Sequence, residues 1–277
     1  MLTTPLISAV INTFNEEANI ADCIGSLQGF ADEIVVCDMH STDQTVAIAQ
    51  SCGARTSLVT AKFGDFGRLR HLAVTQATGK WVLVIDADER MTSALAYKLR
   101  EIAEQDQVEV VNISNLYWYF GGWVYQGDFF RNNWPRFFMR TVYLQRFEDL
   151  NELVHNDLST LKGVANQIAL PKQYYLKHYA YPTIEKYVDK TLGTYARLEG
   201  EQYVTAGRRF SFLRLVGDPL KFFLRNYILQ QGFRDGMRGF ILNVLFAAYR
   251  FTTWANVWLL EELERQKNTG VEPKPKL

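Results

Sequence analysis

Short apolar runs alternate with stretches of helical periodicity over the first part of the chain. Leu6-Ile7-Ser8-Ala9-Val10-Ile11, Glu33-Ile34-Val35-Val36-Cys37 and Trp81-Val82-Leu83-Val84-Ile85 have the length and content of buried strands, the last being the most apolar. Between them, Glu17 to Gln28 places Ile20, Cys23, Ile24 and Leu27 on one face of an expected helix. A second helix, capped by Ser41 or Thr42, is expected to run to about Ser51, followed by a short strand from Arg55 to Val59. A third spans Arg68 to Gln76 and ends near Gly79; a further helix over 93–105 and a strand from Glu109 to Ser114 complete the series. Strands alternating with helices predict a parallel or mixed sheet with helices on its faces, an α/β fold.

The pattern changes after about residue 115. Tyr117, Trp118, Tyr119, Phe120, Trp123, Tyr125, Phe129, Phe130 and Trp134 crowd together, punctuated by Gly121-Gly122 and Gly127. Loops and short antiparallel strands are expected there, forming either a wall of a binding site or ordinary aromatic core. From about Ile184 to Gln266 the periodicity is helical, with breaks expected near Gly207 and at Asp218-Pro219. Asn268 to Leu277, with Gly270, Pro273 and Pro275, reads as a disordered tail. The expected organisation is an α/β domain over 1–180, a helical region over 181–267 and the tail over 268–277.

At 277 residues, 48% hydrophobic and 22% charged, the chain can bury a sizeable core. Its 30 basic and 30 acidic side chains cancel, which argues against a general nucleic-acid binder. Basic residues nonetheless gather late, at Arg208, Arg209, Arg214, Lys221, Arg225, Arg234, Arg238 and Arg250. Cys23, Cys37 and Cys52 suit neither a disulfide framework nor a metal-binding CxxC pair, and read as small buried residues in a reducing cytoplasm. Neither a signal peptide nor a run of about 18 apolar residues is recognisable. The expected location is therefore cytoplasmic, free or attached to the inner face of the cell membrane.

Three strand ends carry candidate chemistry. Asp86-Ala87-Asp88-Glu89 follows the strand Trp81 to Ile85, at the carboxyl end where open α/β sheets place ligands. In an extended chain Asp86 and Asp88 would face the same side, and two hard oxygen donors suit Mg²⁺ or Mn²⁺. Solvated turn carboxylates are the plainer alternative. At the first strand end, Ile11-Asn12-Thr13-Phe14-Asn15-Glu16-Glu17 contains no glycine, so a dinucleotide fingerprint and a Walker-type loop are both absent. Its short polar side chains could read a base or ribose, or simply start a helix with Asn15 as cap. At the second, Asp38 could accept from a base or ribose, while Asp43 suits a helix cap.

Taken in order, Thr13-Phe14-Asn15-Glu16-Glu17, then Asp38 with Ser41-Thr42-Asp43 and Thr45, then Ala77-Thr78-Gly79-Lys80-Trp81 leading into Asp86-Ala87-Asp88-Glu89, the sequence resembles the family 2 glycosyltransferases of the GT-A fold. Within them it is similar to the lipopolysaccharide core and exopolysaccharide group typified by β-1,4-glucosyltransferases. The resemblance covers residues 6–115 closely. It continues more loosely through Arg136-Phe137-Phe138, Leu153-Val154-His155 and Leu176-Lys177-His178-Tyr179.

The resemblance implies a Rossmann-like nucleotide-binding mixed sheet with a C-terminal helical extension. It also implies a UDP-sugar donor, Mn²⁺ or Mg²⁺, inversion at the sugar, and a glycan or lipid-linked acceptor. Thr13, Asn15 and Glu16 would line the uridine pocket, Asp38 would meet the uracil edge, and Arg70 would reach the diphosphate, assisted by Arg136 or Lys190. Asp86 and Ala87 would lie along the donor, with Asp86 on the ribose or on the metal through water. Asp88 would ligate the metal directly. A histidine would complete the shell, His178 in preference to His155, although either could instead be bonded inside a polar patch.

Two positions depart from the group's pattern: His71 stands where asparagine is common, and Asn156 follows Val154-His155 where glutamate is usual. An inverting transferase needs a carboxylate to take the acceptor proton, and Asp149, Glu152 and Asp157 are the candidates, Glu152 preferred. The later segments, with large apolar residues and arginines at helical spacing, suit either a membrane surface or a homodimer contact. Two rival functions are a nucleotidyltransferase, disfavoured by the missing glycine-rich loop, and a non-catalytic sugar-nucleotide or lipid-binding module, favoured only by Asn156.

Overall fold

The computed structural model describes residues 5–60, 66–127, 133–147 and 158–269. The chain divides into two compact units, one drawn from Met1–Tyr117 and Arg131–Ala180, the other from Trp118–Phe130 and Tyr181–Leu277.

The strands in chain order are β1 (Ile7–Thr13), β2 (Glu33–Asp38), β3 (Arg55–Leu58), β4 (Trp81–Asp86), β5 (Glu89–Met91), β6 (Val110–Tyr119), β7 (Gly122–Val124), β8 (Asn133–Met139), β9 (Gln167–Ala169) and β10 (Tyr175–Tyr181). They follow one another across the sheet as β3-β2-β1-β4-β8-β6-β10-β5, with β9 and β7 pairing off β6. β3, β2, β1 and β4 are mutually parallel. β8 then runs antiparallel to β4 and to β6, making the sheet mixed.

Both faces of the parallel part are covered, which is why its strands read as continuous apolar runs rather than as alternation. Successive side chains point to opposite faces. Ile7, Ala9 and Ile11 of β1 and Trp81, Leu83 and Ile85 of β4 pack with helices α1 (Ile20–Leu27), α2 (Thr45–Ser51) and α4 (Ser93–Gln105). Val10, Val82 and Val84 face the other way, against α3 (Phe66–Gln76) and α5 (Arg140–Arg146). Trp81 stacks on Phe137 of β8 with ring centroids 4.7 Å apart. Cys23 and Cys37 are buried in these two layers, and burial raises both thiol pKa values.

Gly79 lets the chain pass close to β1: a Cβ there would lie 2.6 Å from Ser8 Oγ and 2.7 Å from the Ser8 backbone nitrogen. Two helix starts are later than the sequence suggests. α1 opens at Ile20 because residues before it form turns on the Glu16 carbonyl, which accepts from both Asn19 and Ile20 N–H. α2 opens at Thr45 because Ser41 and Thr42 are engaged with the neighbouring strand ends.

In the second unit, Phe120 and Gly121 adopt positive φ (47° and 82°) to turn β6 into β7. The helices are α6 (Ile184–Tyr187), widened turns over Val188–Tyr195, α7 (Ala196–Thr205), α8 (Phe212–Phe223), widened turns over Leu224–Leu229, and α9 (Gly236–Thr269). α9 packs against both α7 and α8. Gly200 of α7 permits that approach, since a Cβ there would sit 2.9 Å from Asn256 Cβ. Trp254 Nε1 of α9 donates to Asp218 of α8 at 2.7 Å.

The expected break at Asp218-Pro219 does not occur, because Pro219 lies inside α8. Its missing N–H deprives the Leu215 carbonyl of a helix partner, yet the contact of α8 with α9 carries the helix through. The chain turns later, where Gln231 and Gly236 take positive φ of 61° and 63°. Asn268 and Thr269 belong to α9 rather than to a disordered tail; residues 270–277 lie outside the described residues.

Candidate active site

Strand register sets the frame. β1 pairs with β4 so that Asn12 lies beside Asp86, and with β2 so that Thr13 lies beside Asp38. The polar positions singled out in the sequence therefore meet along one edge, at the carboxyl ends of three adjacent strands, where the backbone leaves the sheet and side chains can face a ligand.

The loops after β1 and β2 are laced together. Asn15, at positive φ (53°), donates its N–H to Ser41 Oγ and accepts Thr42 N–H on Oδ1, both at 2.8 Å. Glu16 N–H donates to Thr45 Oγ1 at 2.8 Å, while the Glu16 carboxylate accepts from Asn19 Nδ2 at 2.7 Å. Asp38, 1% exposed, accepts from the Ser41 N–H at 2.7 Å and from its hydroxyl at 2.6 Å. Asp43 takes the N–H groups of Thr45 and Glu17, but the cap position of α2 expected for it is held by Gln44. Two buried atoms at the same edge, Asn12 Oδ1 and Thr13 Oγ1, have no hydrogen-bond partner among the described residues. Leaving such groups unsatisfied in the interior is costly.

The acidic segment differs from an extended strand. Residues 87 and 88 turn tightly between β4 and β5, so the alternation that would align Asp86 with Asp88 is interrupted. Asp86 instead faces Arg136 of β8, whose Nη1 and Nη2 donate at 3.2 and 3.3 Å. Asp88 faces His178 of β10, with Oδ2 and Nε2 3.3 Å apart. Glu89, fully buried, sits between the two. One of its oxygens accepts the Asp86 N–H at 2.9 Å; the other accepts from Arg136 Nη2 at 3.0 Å and from Asn115 Nδ2, and lies 3.4 Å from His178 Nδ1. Tyr117 covers the His178 ring at a centroid distance of 4.9 Å. The Asp88 carbonyl accepts Tyr179 N–H at 2.9 Å, and Arg90 donates to the Ala87 carbonyl at 2.9 Å, which fixes both ends of the turn.

Charge follows from this packing. Burial alone would raise the Asp86 pKa, but Arg136, then Arg70 and His178, hold it down to about 2. Burial raises that of Glu89 in spite of Arg136. For His178 burial works the other way, and Asp88, followed by Glu89 and Asp86, lifts its pKa to about 9. Arg136 is pulled further up by Glu89 and Asp86, which outweigh its desolvation.

Of the residues singled out in the sequence, Thr13, Asn15, Glu16 and Asp38 belong to the laced strand ends, and Asp86, Ala87, Asp88, Arg136 and His178 to the adjoining network. Arg70 on α3 contributes its charge to Asp86. Arg136, 8% exposed, is an internal counter-ion of Asp86 and Glu89 rather than a cation held out toward a phosphate. Lys190 belongs to the second unit, with its ammonium 5.8 Å from the Tyr195 ring centroid. Asp149, Glu152, His155 and Asp157 lie outside the described residues. His71 is buried and stacked on Tyr143 at 5.9 Å, and desolvation lowers its pKa. Asn115 was not singled out, while Glu89 was named only as the last letter of the acidic segment and Tyr117 only among the crowded aromatics; Asn115 and Tyr117 reach the site through β6.

A metal can be tested against this donor set. Among the described residues no three His, Cys, Asp or Glu side chains are arranged to hold an ion by themselves. The Asp88–His178 separation of 3.3 Å is close to the roughly 3 Å between adjacent ligands of an octahedral ion bound at about 2.1 Å. Ions of that kind take few protein ligands and complete their shell with water and substrate phosphates, so the pair fits one.

A mixed sheet flanked by helices, with polar groups at the carboxyl ends of its parallel strands, is an α/β fold of GT-A type. Residues 8–157 match the Glycosyl transferase family 2 profile. An uncharacterized glycosyltransferase of Rickettsia felis is 31% identical over 275 residues, covering 95% of this chain and 92% of its own. The lipopolysaccharide core biosynthesis glycosyltransferase LpsC of Rhizobium meliloti is 29% identical, covering 95% of each chain. The crystal structure of S. aureus TarS 1-349 superposes with a TM-score of 0.53 at 21% identity, over 95% of this chain and 92% of that one. The chain belongs to glycosyl transferase family 2 and is a glycosyltransferase. That membership disposes of the nucleotidyltransferase and the non-catalytic module as alternatives.

Proposed function

We propose that the enzyme moves a sugar from a UDP-sugar, with Mn²⁺ or Mg²⁺ bound, onto a glycan or lipid-linked acceptor of the cell envelope, with inversion at the anomeric carbon. The observation that carries this reading is the meeting of Thr13, Asp38 and Asp86 at adjacent strand ends beside the Asp88–His178 pair. Two relatives lend support. TarS has been crystallised with UDP, and LpsC is named for lipopolysaccharide core biosynthesis.

In this reading Thr13, Asn15, Glu16 and Asp38 hold the uridine. Asp88 and His178 would hold the ion, which would supply positive charge to offset the negative charge building on the departing diphosphate. Asp86 meets the ribose, kept ionised by Arg136, while Arg70 adds positive charge at the diphosphate. Glu89 and Asn115 hold Arg136 and His178 in position from beneath. Glu152, ahead of Asp149 and Asp157, takes the proton from the acceptor hydroxyl as its oxygen attacks the anomeric carbon. The enzyme works from the cytoplasmic side of the membrane.

Sugar transfer from a panel of UDP-sugars to total envelope glycolipid tests the reading. Transfer that stops on chelation, and falls about 10²–10³-fold in Asp88→Asn, is expected, on the scale of a lost electrostatic contact to the transition state. Turnover of Asp88→Asn near the wild-type rate would overturn the assignment of Asp88.

A further inference from the structure

The second unit carries a surface that the transfer reaction does not explain. Along α8, Phe212, Leu213, Val216 and Leu220 are 68, 82, 48 and 56% exposed, and Leu224 and Ile228 continue the row through the widened turns. At about 100° per residue, positions 212, 213, 216, 220 and 224 fall within an arc of about 120°. The opposite side of α8 is the one that packs, through Asp218 on Trp254 and through Phe222, stacked on Phe246 at 5.7 Å. The helix therefore has one apolar face against its own unit and a second one held in solvent. Folding of this chain alone gives no reason for the second.

Charge decides among occupants. Residues 208–229 contain five basic side chains and one acidic one, Asp218, an exposed residue whose carboxylate accepts from Trp254 Nε1. At the same spacing Lys221, Arg214 and Arg225 fall on the polar side of the helix, beyond the apolar arc, and all three are exposed. The Arg214 guanidinium is 5.3 Å from the Trp254 ring centroid. A helix with an exposed apolar face and a basic polar face matches one lying at the boundary between acyl chains and anionic headgroups. The same face placed two-fold against a second copy would bring like charges together. Among the described residues no helix is long and apolar enough to cross a membrane, so the contact is with a surface.

We propose that the exposed face of α8 and the turns after it dock the protein on an anionic lipid bilayer. The apolar row enters the acyl boundary, Lys221 reaches lipid phosphates from its flank, and the basic excess of the segment draws it to anionic lipid. This inference stands on the second unit's surface and does not depend on the choice of donor or metal.

Flotation of the full-length protein with vesicles tests it without nucleotide, comparing pure phosphatidylcholine with phosphatidylcholine containing about 30% phosphatidylglycerol. Binding to the anionic vesicles alone, weakened by added salt, is expected. The double variant Leu213→Glu/Leu220→Glu lowers the bound fraction at least about tenfold, and Lys221→Glu lowers it less; circular dichroism confirms that both are folded. Folded wild-type protein that ignores anionic vesicles, or a double variant that binds as wild type does, overturns the proposal. So does a wild-type dimer in sedimentation that the double variant makes monomeric without any vesicle binding, which would assign the face to a second copy.

Discussion

At the carboxyl ends of β1, β2 and β4, charged side chains are taken out of water and held against one another, whereas α8 holds leucines and a phenylalanine out in solvent. Glu89 is fully buried, with Arg136, Asn115 and His178 around it; Leu213 is 82% exposed. Each arrangement runs against the general sorting of apolar groups inward and charges outward. Stability alone accounts for neither. A buried ionic network can often be replaced by apolar packing at little cost, and an exposed apolar row contributes nothing to a folded monomer. On the readings proposed above, both are explained by something bound, a donor at the first and a lipid surface at the second. They differ in how mutation should register: in folding at the first region, and almost wholly in binding at the second.

The contrast can be broken most sharply at Arg136. Arg136→Ala leaves the fully buried Glu89, and the partly exposed Asp86 beside it, without their cation and is expected to cost about 3–5 kcal/mol of stability, measured by urea denaturation. A loss below about 1 kcal/mol would mean that the network is not a structural keystone. Away from the site, Glu33 sharpens the comparison. Burial acts to raise its pKa, but hydrogen bonds from Ser8, Thr78 and Arg55 bring it below the ordinary value of 4.5. Because the folded pKa is the lower one, its stabilising contribution is present in full above the unfolded value and is lost as pH falls through the folded one. Wild type should lose stability below pH 4.5 more steeply than Glu33→Gln, as read from urea midpoints across that range; parallel curves would remove Glu33 from the account. The smallest change belongs to the second region. Leu213→Glu/Leu220→Glu should alter stability by no more than about 0.5 kcal/mol, and a larger loss would show that the row is packed in the folded protein.

Much of the first unit was legible because a sheet covered on both faces writes its strands as unbroken apolar runs. α4 was placed over its observed span of Ser93–Gln105, and the cap residue Thr92 directly precedes it. Less legible were features that depend on distant chain. The extended-strand argument for Asp86 and Asp88 failed because the backbone turns at residues 87 and 88, which no glycine or proline announces. Arg136 was expected as a phosphate cation and is instead enclosed by two carboxylates, one of them on β5. Glu89 acquires its surroundings from β6, β8 and β10, so its importance is invisible in the letters beside it. Pro219 misled for a related reason: local propensity argued for a break, and packing on α9 overrode it.

The central claim is that the strand-end cluster binds a nucleoside diphosphate with a divalent ion. Calorimetric titration with UDP, ADP, GDP and CDP, with and without Mn²⁺, on wild type and on folded Asp88→Asn, tests it most directly. The account predicts preference for UDP, dependence on Mn²⁺, and loss of that dependence in the variant. Nucleotide binding that is indifferent to both metal and Asp88, or no binding by folded wild-type protein, would contradict it.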